Sequence, residues 1–111
     1  MPNFTHYQNY VNFKSEKFTK ASLFQSERLL LGLNCFEPGQ TQAVHDHADQ
    51  DKFYLVLEGE GEFVVGDETQ TVGVGGVVLA PAGVPHGVKN TGTARLIIFM
   101  GIAPGVSAHG H

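Results

Sequence analysis

From Arg28 onward, apolar residues recur in short runs separated by breaks rich in glycine, proline and acids, which is how strands joined by tight turns look in sequence. RLLLGLNCF is an apolar run of strand length that stops at Glu37-Pro38-Gly39. QTQAVHDH alternates, and KFYLVLEG is rich in aromatic and branched residues, which favour a pleated surface. Glu58-Gly59-Glu60-Gly61 then turns the chain into EFVVG, and Gly66-Asp67-Glu68 turns it into TQTVGV. GVVLAPAG, VPHGVKN and, after Asn90-Thr91-Gly92, ARLIIFMGIA complete the series. These are eight short strands at spacings of roughly ten residues with almost no helical period between them, and they predict an all-β sandwich or barrel.

The two ends depart from this pattern. Aromatics at Phe4, Tyr7, Tyr10 and Phe13 recur every third residue, as on a helical face, but Asn, Thr and β-branched neighbours make the segment an indifferent helix former. An arm lying across a barrel fits equally well. We therefore expect residues 1–25 to form an amino-terminal arm, with KSEKFTK as a polar connector and His6 as a surface or packing residue. The barrel is expected over 26–103. Residues 104–111 are expected to form a flexible tail, its His109 and His111 in solvent.

Composition changes the picture little. The chain of 111 residues is long enough for one domain, and no run of about eighteen apolar residues could span a bilayer. MPNFTHYQNY has no basic start followed by an apolar stretch, so a cytoplasmic protein is expected. A net charge of −4, with the seven Lys and Arg scattered, argues against nucleic acid as a partner. The single cysteine, Cys35, lies in an apolar run and reads as a buried, inert thiol.

Candidate chemistry is concentrated in the histidines. Residues two apart on a strand share a face, so His45 and His47 can aim two imidazoles at one point. Such a pair on an exposed strand edge is common, and by itself decides nothing. His86 follows the turn-rich segment APAGVP and can close a three-histidine site. Imidazole ligates zinc, iron, manganese, nickel or copper, so one divalent transition metal is the expected cofactor, its identity open.

These residues carry a family resemblance. Gly39, His45, His47 and Gly59 match the first motif of the cupins, and Gly75, Pro81, Gly83, His86 and Asn90 fill every position of the second. The chain thus resembles a small single-domain cupin, which implies a double-stranded β-helix, or jelly-roll barrel, with His45, His47 and His86 as metal ligands. It departs from the pattern at one place: where the first motif has an acid, this chain has Lys52. An ammonium about 5 Å from a divalent ion, at an effective dielectric of about 20, is repelled by roughly 6 kcal/mol. Three arrangements follow. A kink lets Asp51 or Gln50 supply a fourth ligand while Lys52 turns away; the metal keeps three histidines and water; or there is no metal.

Lys52 and Tyr54 share a strand face and are the candidate residues of a substrate pocket, although hydrophobicity does not decide which face looks inward. Lys52 can pair with an acidic neighbour, meet an anionic substrate or snorkel to the barrel rim. One reading is a metal-dependent enzyme acting on a small organic acid, sugar or aromatic molecule; the resemblance allows isomerases, lyases, decarboxylases and dioxygenases, and fold alone does not choose among them. The other reading is a non-catalytic module that binds or senses a small ligand. Because RLLLGLNCF and ARLIIFMGIA are more apolar than one inner face needs, a homodimer is expected to cover them.

Overall fold

The computed structural model describes residues 3–106; His109 and His111, expected in a solvated tail, lie outside the described residues. The strands in chain order are β1 (Thr19–Gln25), β2 (Leu30–Phe36), β3 (Thr41–His45), β4 (Asp51–Glu58), β5 (Glu60–Val65), β6 (Glu68–Gly73), β7 (Val77–Ala80), β8 (His86–Lys89) and β9 (Leu96–Ala103). They form two antiparallel sheets, one in the order β1-β2-β9-β4-β7 and the other β3-β8-β5-β6. No helix among the described residues is long and apolar enough to cross a membrane.

All eight expected strands form, and a ninth, β1, comes from the stretch expected to be an arm. Its sequence TKASLFQ hides the strand because Lys20, Ser22 and Gln25 line a cavity between the sheets, where polar residues are tolerated. Pairing with β2, in a register that matches Lys20 with Asn34, holds it in place despite this weak hydrophobic signal. The arm itself is shorter, with one turn of 3-10 helix at Tyr7–Tyr10 capped by the His6 side chain, whose Nδ1 accepts from the Gln8 amide at 3.2 Å.

Between the sheets, Phe36, Tyr54, Val56, Phe63, Leu96 and Ile98 form the main core. A second cluster of Leu33, Cys35 and Ile97 lies on the outer face of the five-stranded sheet, covered by Tyr7, Tyr10, Val11 and Phe13. Tyr7, Tyr10 and Phe13 of the three-residue aromatic spacing therefore serve an arm lying across a sheet, whereas Phe4 stays exposed. Burial pushes the Cys35 thiol up, consistent with an inert core residue.

The motif glycines Gly39, Gly59, Gly75 and Gly83 all have positive φ, a conformation that other residues adopt only with strain. At Gly59 a Cβ would also collide with the Arg95 carbonyl, so the β4–β5 turn admits glycine alone. Asn90, fully buried, donates through Nδ2 to the carbonyls of Phe36 (3.2 Å) and Ala94 (2.9 Å) and accepts from the Gly92 amide (3.0 Å). It closes the loop into β9 by satisfying backbone groups that would otherwise be buried unpaired.

Candidate metal centre

His45 ends β3 and His86 opens β8, and the two stand opposite each other across the ladder. The register shifts between Gln42 and His45, an irregularity of the kind that re-aims a side chain near a site. His47 lies two residues beyond the strand, so strand alternation does not bring it to His45. Its position comes from a tertiary contact, as the Gly83 amide donates to the His47 carbonyl at 2.8 Å and ties the His-Asp-His segment to the turn before β8. The imidazole centroids are 5.1 Å (His45–His47), 4.4 Å (His45–His86) and 6.0 Å (His47–His86) apart.

One ligand atom from each of the three lies within 4.8 Å of the others. Two rings are held in the ligating tautomer. The Ala43 carbonyl is 2.8 Å from His45 Nδ1 and the Val84 carbonyl is 3.0 Å from His86 Nδ1. A carbonyl can only accept, so each Nδ1 carries the proton and the neutral ring keeps its Nε2 lone pair for a metal. Burial pushes His86 below the ordinary histidine range, which favours that neutral form. His86 Nε2 is buried and has no hydrogen-bond partner among the described residues, a costly state that a metal ion would relieve. The donor set fits the expected transition metal.

Lys52, Tyr54 and Val56 point inward and are 4%, 0% and 1% exposed, so the face of β4 left open by its sequence is decided. The Lys52 ammonium sits 4.7 Å from the centre of the Tyr54 ring. Burial, reinforced by Lys20, pulls Lys52 down from 10.5 to about 8. Tyr54 donates to Gln42 Oε1 at 3.1 Å, packs its edge toward His86 at 6.2 Å, and is pushed up by burial. Lys52 therefore does not turn away to let a neighbour in.

Asp51, considered as a fourth ligand, is exposed and accepts the Ala82 amide at 2.8 Å, which engages its carboxylate in the turn after β7. It does not belong to the histidine cluster. Gln50 is 1% exposed, and its Nε2 donates to the Pro104 carbonyl at 2.9 Å while Oε1 stays buried and unpartnered. Asp51→Ala is accordingly expected to leave metal affinity unchanged and to lower stability by about 1 kcal/mol through the lost hydrogen bond. Lys52→Glu should instead raise metal affinity by removing a repulsive charge. Metal titration of the two variants side by side checks both, and a weakened Asp51→Ala site would show that the carboxylate reaches the metal.

A cavity of about 460 Å³ opens beside the site, lined by His45 and His47 from one side and by Lys20, Asn34 and Lys52 from the other. Asn34 and Lys20 were not legible as site residues. The one local signal is that Asn34 interrupts an apolar run, on the same strand face as Gly32 and Phe36.

Comparison with known proteins supports the fold and the family. A structure from Thermus thermophilus superimposes with a TM-score of 0.89 at 38% identity, covering 93% of this chain and 98% of that one. An RmlC-like cupin from Desulfovibrio desulfuricans gives 0.76 at 34% identity over 85% of this chain and 89% of that one. An uncharacterised protein of Streptomyces coelicolor is 42% identical over 64 residues, 57% of this chain and 60% of the relative. The cupin domain family model matches residues 32–102, which include both motifs and all three histidines. With that match over more than half its length, the chain belongs to the cupin family.

Proposed function

We propose that this cupin binds one divalent transition metal on His45, His47 and His86 and is a metal-dependent enzyme acting on a small molecule held in the adjoining cavity. The observation that carries the reading is the cluster of three convergent imidazoles, with two rings fixed by backbone carbonyls and a buried, unpartnered Nε2 on His86. Such a metal, when bound, supplies Lewis-acid polarisation or a chelation point for substrate oxygens. The protein's own residues orient the imidazoles, hold Tyr54 against His86 through Gln42, and exclude water along the inner wall. A purely structural role would not require a cavity of about 460 Å³ open to two of the ligands.

The test is elemental analysis of the purified protein, followed by a turnover screen of metal-loaded protein against sugar acids, keto acids and catechols. About one metal per chain with turnover of one class is the expected result. Saturable binding without turnover would favour the sensing module instead.

A second copy of the chain is the proposed partner. Beyond the arm, the outer face of the five-stranded sheet carries Phe53, Leu55 and Phe99 half-buried, with Val77 and Leu79 70% and 61% exposed on its edge strand. This face is apolar and ends at an unpaired edge, features that natural sheets cover. Sedimentation at micromolar concentration should show a dimer, and Leu79→Glu should convert it to monomer without loss of metal. A wild-type protein that sediments only as monomer would remove the proposal.

A further inference from the structure

The wall of the cavity facing the histidines has a composition that metal binding alone does not explain. Its charged residues are Lys20 and Lys52, and none of the eleven acids of the chain lines it. Lys52 is 4% exposed, and the charge that acts on it is the neighbouring Lys20, with no carboxylate contributing. Asn34 is 2% exposed, and its Nδ2, a pure donor, is buried without a hydrogen-bond partner. Lys20 stands directly across the ladder from Asn34, at the open end of the same wall. Buried cations and donors without acceptors are unfavourable in a folded protein unless a ligand completes them.

We infer that Lys52, Asn34 and Lys20 form a carboxylate subsite, and that the ligand of this cavity is a small organic acid presenting its carboxylate to this wall and an oxygen donor to the histidines. The second half of this statement rests on the metal reading given above; the first half does not. The five-stranded sheet supplies the subsite through β1, β2 and β4, whereas the four-stranded sheet supplies His45 and His86 through β3 and β8. The two recognition elements therefore face each other across the interior, and a ligand that spans them must carry two different ends. A 2-oxo or 2-hydroxy acid has that form. The cavity volume of about 460 Å³ suits a molecule of this size.

The experiment is calorimetric titration of the wild type, metal-loaded and metal-free, with pyruvate and with its neutral amide, repeated on Lys52→Met, Asn34→Asp and Lys52→Arg. Pyruvate should bind the wild type at least about tenfold more tightly than the amide, as expected for hydrogen bonds to a charged group. Lys52→Met and Asn34→Asp should remove that preference with metal content unreduced, and Lys52→Arg should restore part of it. Preference for the acid in both metal-free and loaded protein would support the subsite, and if metal then adds nothing, only the metal half fails. Equal affinity for acid and amide, binding unaffected by Lys52→Met, or no binding of either compound would overturn the subsite, even if the histidines hold their metal.

Discussion

His86→Ala and His47→Ala are each expected to lose the bound metal while remaining folded β-proteins. Three imidazole nitrogens are the whole donor set within 4.8 Å among the described His, Cys, Asp and Glu side chains, so removing one leaves two and no nearby carboxylate to replace it. Loss of an outer partner of a ligand costs about 10–100-fold in affinity, and loss of the ligand itself should cost about 100-fold or more. The two variants differ in what else they change. His86 is 2% exposed, so its truncation also opens a cavity beside Tyr54, while His47 is only half-buried and its replacement disturbs packing less. Metal content per chain, with circular dichroism to confirm the strands, reads the result. If both variants retain the wild-type content, the metal is held elsewhere or not at all.

Lys52→Met should make the metal-free protein more stable at neutral pH. Burial lowers Lys52 from 10.5 to about 8, and at about 1.4 kcal/mol per pH unit this is an unfavourable contribution of about 3 kcal/mol. The sign follows from proton linkage. Below about pH 8 the lysine is charged in both folded and unfolded chains, and the full penalty is present. Between about 8 and 10.5 the folded protein releases the proton while the unfolded chain keeps it, so wild-type stability gains from this group as pH rises. Methionine fills a similar volume without charge but gives up the contact with the Tyr54 ring, worth about 1 kcal/mol. A net gain of about 2 kcal/mol, roughly 10 °C in melting temperature for a domain of this size, is expected at pH 7. Denaturant melts of both proteins at pH 7 and pH 10 decide the matter, because the gap should narrow as the pH rises. A less stable variant, or a gap that does not change with pH, would mean that the ammonium is solvated or paired.

That lysine also shows where local sequence stops being sufficient. Alternation places Lys52 and Tyr54 on one face of β4 but does not say which face is inward, since Phe53, Leu55 and Leu57 are as apolar as a core requires. The answer came from the partners of the strand. β9 and β7 pair with β4 in a register that turns Phe53 toward Gly101 and Leu79 on the outside, and Lys52 toward Ile102 and Ala80 within. The fate of Asp51 was equally non-local, because the amide that engages its carboxylate belongs to Ala82, far along the chain.

By itself the sequence determined the eight strands from β2 to β9 and the turns between them, because side-chain alternation and left-handed glycines such as Gly39 and Gly59 act over a few residues. It also singled out His45, His47 and His86, although strand alternation is not what unites them. The tertiary structure decided the rest: that β1 is a strand, that the Gly83 amide draws His47 to the other two imidazoles, and that Lys20, Asn34 and Lys52 face the histidines across the cavity. Each of these depends on pairings between distant segments, and a polar residue facing a cavity between the sheets has the same local pattern as one facing water.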